Sequence, residues 1–304
     1  MPRIYLPISN IIDNRISITD EKAHYLISVL RCRKGDDLIV FDGKGNCLKT
    51  RILKADRREV ITEVIEKFPC DIESHINITL VQGLLKGEKM DLVIQKTTEL
   101  GVKEIIPVVT ERSQMRETRK VARWRKIAEE ASRQSGRSII PVIHDPMEFK
   151  EFFSKQTCIN YPPQSPLTKG GIKGGGLIFY EEGGMKLSEA VEIFKQRFNY
   201  TLPLPLPSRD PESVRDYPAK RGVAPTGLFA LSRGEAPSPP AGEGRGEGEL
   251  LIIIGPEGGF TKEEVFLAKE KGLLVTSLGE RILRAETAAI SAVALVQFLL
   301  GDMG

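Results

Sequence analysis

Two stretches near the carboxyl end of this 304-residue chain set charged side chains beside glycine-rich backbone. In the first, the apolar run Leu250-Leu251-Ile252-Ile253-Ile254 ends in Gly255-Pro256-Glu257-Gly258-Gly259-Phe260. Such a run is expected of a strand buried on both faces. Thr261-Lys262-Glu263-Glu264 follows, a capping box that opens a helix. The second stretch, Leu278-Gly279-Glu280-Arg281-Ile282-Leu283-Arg284-Ala285-Glu286-Thr287-Ala288, again follows a strand pattern and leads into a helix. Ligands of α/β sheets bind beyond the carboxyl ends of strands, and glycine there lets backbone amides approach them closely. Arg281, Arg284 and Glu286 put charge beside that cradle, where a purely structural loop needs none. A tight connection without a ligand and a surface salt-bridge cluster are the alternatives.

The elements that must position these loops are legible in the patterning. Ala23, Leu26, Ile27 and Leu30 fall at helical spacing after Thr19, and Leu38–Phe41, Cys47–Leu53 and Val60–Ile65 read as strands. A small, β-rich, barrel-like first domain is expected over residues 1–72. From about Ser74 strands and helices alternate, the pattern of a largely parallel sheet covered by helices. Ile76–Val81 and Ile105–Val109 are strand candidates, Trp124, Ile127, Ala128 and Ala131 form a helical stripe, and Leu177-Ile178-Phe179-Tyr180-Glu181-Glu182 reads as an ordered island followed by a short helix near Leu187–Lys195. This second, α/β domain is expected over 73–304. It is interrupted at 162–176 and 199–248, where proline and glycine accumulate and too little apolar surface remains to offset ordering entropy. Residues 201–249 hold nine of the 19 prolines. The repeats Gly242–Gly248 and Gly170–Gly176 lack the strand-to-helix context of a nucleotide-binding loop.

Lys and Arg number 44 against 41 Asp and Glu, so any nucleic-acid contact must come from local clustering. Between Arg112 and Arg137 there are nine basic residues and three glutamates. Arg119, Arg123, Lys126 and Arg133 recur at roughly helical spacing opposite the Trp124 stripe, with Arg116 just before them. Phosphate contact is the functional reading and a solvated helix face the plain one. His24, Ser28 and Arg31 share a predicted helix face with Arg33 and Lys34 following, and there RNA contact and ordinary surface are equally supported. Four scattered cysteines and three histidines give no zinc spacing and no sign of a disulfide framework. No apolar run reaches membrane-spanning length, and the first residues lack a signal-peptide core, so a cytoplasmic location is expected.

Taken together, Gly255-Pro256-Glu257-Gly258-Gly259-Phe260-Thr261 and Leu278-Gly279-x-Arg281-Ile282-Leu283-Arg284-x-Glu286-Thr287-Ala288 resemble the paired signature of the ribosomal small-subunit methyltransferase E (RsmE) family, within the SPOUT superfamily. Further matches are Lys86-Gly87-x-Lys89-Met90, Gln95-Lys96-x-Thr98-Glu99-Leu100-Gly101-Val102, Glu111-Arg112-Ser113 and Gln134-Ser135-Gly136-Arg137. The resemblance implies an N-terminal PUA-like β-barrel followed by a SPOUT-type α/β domain whose end threads a trefoil knot. It also implies methylation of uridine N3 in 16S rRNA, S-adenosylmethionine as cofactor, no metal, and a homodimer. Cofactor contacts would come from Phe179, Glu181, Ile254, Gly255, Pro256, Glu257, Gly258, Leu278, Gly279, Ile282, Leu283, Arg284, Thr287 and Ala288. Arg284, then Arg112 and Arg281, are the candidates to stabilise charge on the base. Glu286 or Glu257 would orient the base or take its proton. The RNA-binding set is His24, Arg31, Arg33, Arg116, Arg119, Arg123, Lys126 and Arg133. Alternatives are a knotted methyltransferase acting on tRNA or another rRNA base, and a non-catalytic RNA-binding assembly factor.

Overall fold

A computed structural model describes residues 1–7, 11–12, 14–69, 72–155, 174–198 and 248–303. Alternation of inward and outward residues along Arg15–Thr19 is the signature of a strand with one face in a core. It is β3 of a six-stranded mixed sheet that also holds β1 (Arg3–Tyr5), β2 (Ile11–Ile12), β4 (Asp37–Phe41), β5 (Asn46–Ala55) and β6 (Glu59–Pro69). The strand order is β1-β4-β5-β6-β3-β2, with β1 parallel to β4 and all other neighbours antiparallel. Helix α1 (Asp20–His24) lays Ala23 against Ile16, Ile18, Leu38, Val40 and Val60. It then widens into a π-helical turn, Tyr25–Val29, closed by Leu30 N–H on Tyr25 O. The regular helix expected to carry His24, Ser28 and Arg31 on one face is therefore broken. The π turn changes the angular step, and Arg31 lies beyond it with φ +56°.

The second sheet is parallel throughout. It contains β7 (Ile76–Gly83), β8 (Glu104–Val109), β9 (Val142–Ile143), β10 (Met147–Glu148), β11 (Gly174–Phe179), β12 (Met185–Lys186), β13 (Gly248–Ile254) and β14 (Leu274–Ser277). Its path is β10-β8-β7-β13-β11-β14-β12, with β9 also on β8. Among the described residues six helices cover it: α2 (Lys89–Glu99), α3 (Val121–Ser135), α4 (Phe149–Lys155), α5 (Leu187–Phe198), α6 (Lys262–Glu270) and α7 (Ala285–Leu300). The period-2 pleat of β13 sends Leu250, Ile252 and Ile254 into one core with Met90, Val93, Trp124, Val191 and Val293. It sends Leu251 and Ile253 into the other, with Phe149, Phe152, Phe260 and Ala268. Burial on both faces explains the uninterrupted apolar run.

Polar side chains tie the ends together. Gln297, fully buried in the apolar α7, donates to Leu100 O at 2.9 Å and accepts from Ser74 Oγ at 2.8 Å. Gly101 after α2 has φ +91°, and a Cβ there would stand 2.6 Å from Gln297 Nε2, so the expected C′ glycine also permits close packing of α7. Glu73, on the connection between the sheets, meets Arg137 Nε and Nη2 at 3.1 and 2.8 Å and accepts from Ser138 and Ile139 N–H at 3.0 Å. Arg137 Nη1 reaches Thr98 O and Val102 O, and Arg3 of β1 donates to Arg137 O.

Cys47 is disulfide-bonded, a crosslink that the cysteine spacing did not announce, whereas Cys32 is a buried free thiol. Of the expected interruptions, 162–173 and 199–247 lie outside the described residues. Gly174–Gly176, assigned to the first of them, instead belongs to β11. There, absence of a side chain is a packing requirement: a Cβ on Gly176 would meet Leu273 at 3.0 Å. Gly248 likewise begins β13.

Arg137→Ala would leave the nearly buried Glu73 carboxylate without its ion partner. A loss of about 3–5 kcal/mol is expected in urea unfolding. A loss below about 1 kcal/mol would show that the clamp is incidental.

Candidate functional site

Parallel pairing gathers the carboxyl ends of β7, β8, β11, β13 and β14 on one edge of the sheet. β13 lies between β7 and β11, with Ile254 in register with Gln82 on one side and Phe179 on the other. The loop Gly255–Phe260 therefore emerges between Gly83 and Tyr180. A Cβ on Gly83 would stand 2.4 Å from Pro256 N, so these two backbones touch. Gln82, fully buried, donates to Gly83 O at 3.0 Å and Gly255 O at 3.3 Å, while its Oε1 is buried without a partner.

Glu264 binds two loops at once. Its Oε2 accepts Thr261 N–H at 2.9 Å and Thr261 Oγ1 accepts Glu264 N–H at 3.2 Å, completing the capping box of α6. Its Oε1 accepts Glu111 N–H at 2.9 Å, fastening the loop after β8 to the loop after β13. Arg112 Nη1 donates to Gly258 O at 3.3 Å across the same seam. A Cβ on Gly258 would lie 2.9 Å from Arg112 O, so this glycine is required by a neighbouring backbone. Gly259, with φ +68°, faces the Glu181 carboxylate, which would stand 2.6 Å from an added Cβ.

Glu257 turns away from this seam. Its Oε1 accepts Lys86 N–H at 3.2 Å and Lys89 Nζ at 3.0 Å, and its Oε2 is buried without a partner. Burial alone would raise its pKa, but the Lys89 ammonium and the backbone N–H groups outweigh it and hold the carboxyl below its ordinary value of 4.5. It is an anion committed to joining the β7 and β13 loops.

The remaining loops complete the edge. Tyr180 N–H donates to Thr276 O at 3.0 Å, and Tyr180 OH to Glu182 Oε2 at 3.1 Å. After β14, Gly279 has φ +111° and its N–H donates to Ser277 Oγ at 3.2 Å. Arg284 is the N-cap residue of α7, with extended backbone and no side-chain cap bond. Arg281, Ile282, Arg284 and Thr287 are exposed, Leu278, Leu283 and Ala288 half-buried, and Phe179, Ile254, Gly255 and Pro256 buried. Glu286 is only 9% exposed, and its Oε2 has no partner.

The basic residues divide differently from the expected helix face. α3 starts at Val121, so Arg119 lies outside it. Arg123 pairs with Asp91 at 2.7 Å, beside the Trp124 Nε1–H donated to the same carboxylate. Arg133 pairs with Glu130 and lies over the Tyr25 ring, and Arg137 is buried. Lys126, Arg116, His24, Arg31 and Arg33 are exposed. Gln82, Lys89 and the second contact of Glu264 had no assigned role in the sequence reading. Only the capping-box spacing pointed toward Glu264.

A family model described as an RNA methyltransferase domain matches residues 72–198 and 228–297, and one described as an RNA methyltransferase PUA domain matches 18–65. Ribosomal RNA small subunit methyltransferase E of Buchnera aphidicola (strain APS) is 26% identical, covering 99% of this chain and 95% of that protein. The protein of the same name from Bacillus subtilis is 28% identical, covering 93% and 89%. Among solved structures, a ribosomal RNA small subunit methyltransferase E from Neisseria gonorrhoeae bound to S-adenosyl methionine superposes with a TM-score of 0.71 at 28% identity over 100% of both chains.

Two outcomes follow from this geometry. Gly258→Val should displace the Arg112 backbone and lower the melting temperature, by the few degrees that about 1–3 kcal/mol of overpacking produces in a chain of this size. An unchanged melting temperature would return that glycine to a role in ligand approach alone. The stability contributed by Glu257 should be fully present above about pH 4.5 and lost as pH falls through its lowered pKa. Glu257→Gln should remove that part of the acid limb in pH-dependent unfolding.

Proposed function

This chain belongs to the RNA methyltransferase family, and we propose that it methylates N3 of a uridine in the 16S RNA of the small ribosomal subunit with S-adenosylmethionine. The observation that carries the reading is the carboxyl edge itself: glycine-lined loops meet there beside charged side chains, in a chain that matches named relatives along nearly its whole length. The residues fit such a cofactor. Gln82 Oε1, Glu257 Oε2 and Glu286 Oε2 are buried acceptors without partners, a set suited to a ligand rich in N–H and O–H donors and positive charge. Holding it would fall to the backbone of Gly255–Gly259 and Leu278–Leu283 and to Phe179 and Glu181. When bound, S-adenosylmethionine supplies a methyl group made electrophilic by its sulfonium.

The uridine N3–H is a weak acid, so the protein must provide for the departing proton. Glu286 is the better acceptor of the two carboxylates: each has a buried Oε2 without a partner, but Lys89 and the Lys86 N–H on Glu257 Oε1 hold that carboxyl as an anion below its ordinary range and so make it the weaker base. Arg284, exposed two residues earlier, offers a guanidinium to the uracil oxygens on which charge grows as the proton leaves. Arg112 and Arg281 stand next in line. The base must be turned out of its RNA helix to be reached.

Several finer features belong to the same proposal. Residues 1–72 form a PUA-like RNA-holding domain and 73–304 the methyltransferase domain, with His24, Arg31, Arg33, Arg119 and Lys126 on the RNA side. The chain threads a trefoil knot, consistent with β13 lying between β7 and β11 while α7 packs back on that same core. It acts as a homodimer, for which the exposed Ile282, Leu295 and Phe298 supply apolar surface. Its place of action is the cytoplasm, with the small subunit or a late assembly particle as partner. No helix among the described residues is long and apolar enough to cross a membrane.

Mass mapping of small-subunit rRNA after incubation with the purified protein and S-adenosylmethionine should find one added methyl at uridine N3. Modification of tRNA instead would overturn the substrate assignment. Glu286→Gln should lower the single-turnover rate by about 10²–10⁴. Arg284→Ala should lower it by about 10²–10³. If Glu257→Gln costs more than Glu286→Gln, the proton acceptor is misassigned.

A further inference from the structure

Cations on and around this edge fall into two groups according to what their hydrogen bonds meet. In the first group a carboxylate is among the partners: Lys89 on Glu257 and Arg123 on Asp91 at the edge, and farther along α3 Arg125 on Asp145 and Arg133 on Glu130. Each is neutralised where it stands. In the second group the partner is a backbone carbonyl, which fixes the side chain without cancelling its charge. Lys120 Nζ donates to Gly87 O at 2.9 Å, and Arg116 Nη2 to Glu111 O at 3.4 Å. Arg112 Nη1 donates to Gly258 O, although Glu263 stands near enough to feel its charge. Lys86 is exposed, and its ammonium has no partner among the described residues.

The Lys120 bond has a geometric consequence. It pins the loop after β7 to the amino end of α3, so Lys86 and Lys120 flank Gly87, whose φ of +68° bends the chain between them. Arg116 is held by the adjoining loop after β8, the same loop that Glu264 fastens to the cofactor seam. Glu88, Glu111 and Glu117 are the exposed carboxylates on these segments. Among the described residues none of them pairs with Lys86, Arg116 or Lys120. Three cations held or left without a counter-ion thus line one rim of the site.

We infer that Lys86, Arg116 and Lys120 bind backbone phosphates of the RNA strand that enters the site, a role that rests on the function proposed above. This moves the phosphate contacts nearest the chemistry away from Arg123 and Arg133, whose charge is already met. The anionic oxygens could come from RNA phosphate or from the cofactor's carboxylate. The rim's spread over two loops and its exposure favour an extended polyanion.

Lys86→Gln and Lys120→Gln, singly and together, separate these sources. Binding of a small-subunit rRNA fragment is followed across a salt series, and S-adenosylmethionine affinity by calorimetry. Lys271→Gln, after α6 on the opposite face of the sheet, serves as reference. Each rim variant should weaken RNA binding several-fold at low salt and reduce the slope of log K against log salt by about 0.7–0.9. The double variant should approach the sum, while S-adenosylmethionine affinity and melting temperature stay at wild-type values. An unchanged slope would overturn the inference, and so would a loss confined to S-adenosylmethionine affinity, which would assign the rim to the cofactor. Failure of the wild-type protein to bind the RNA at all would instead overturn the proposed function.

Discussion

A single strand, β13, is paired on both edges and buried on both faces, and much of the site's geometry follows from that confinement. Its neighbours β7 and β11 run parallel to it, so all three deliver their loops to the same edge. The contacts there are backbone against backbone: Gly83 on Pro256, Gly258 on Arg112, and Gly184 on the Thr276 peptide. Glycine at these points is dictated by neighbouring chain, before any ligand is considered.

Carboxylates perform the fastening. Glu264 accepts from both Thr261 and Glu111, and each of its oxygens has a separate duty. Glu257 joins the loop after β7 to the loop after β13. Glu73 and Arg137 join the chain between the two sheets to the ends of α2 and α3. Asp91 receives both Trp124 and Arg123, so α3 is set on α2 by a buried carboxylate as well as by apolar contact. Glu257 and Glu286 each keep a buried oxygen without a partner, but Glu257 is tied to the Lys89 ammonium through its other oxygen, whereas Glu286 has no cation among its described partners. That contrast separates structural acids from a candidate reacting one.

What the amino-acid pattern revealed, and what it did not, follows from the range of the interactions. The run Leu250–Ile254, the capping box at Thr261 and the glycine after α2 are local signals, and each marks its element correctly. The two loops that the motif spacing singled out do lie on one edge, because β13 and β14 both flank β11. Charge partners were not legible. Arg133 and Glu130 are near in sequence, but Arg123 with Asp91 and Arg137 with Glu73 require the tertiary fold. A charge count over 112–137 could not tell a neutralised arginine from an available one. The π-helical turn at Tyr25–Val29 was hidden for a different reason: its apolar spacing also fits a regular helix, and only the hydrogen-bond ladder distinguishes them.

The proposed function puts the cofactor at the carboxyl edge of the parallel sheet. Amide hydrogen exchange with and without S-adenosylmethionine tests it most directly, since protection reports where opening is suppressed on binding. Protection should concentrate in Tyr180–Gly184, Gly255–Gly259 and Leu278–Arg284. No protection at these loops would contradict it, as would protection confined to the groove between α4 and α6 lined by Lys150, Phe153, Phe266 and Lys271.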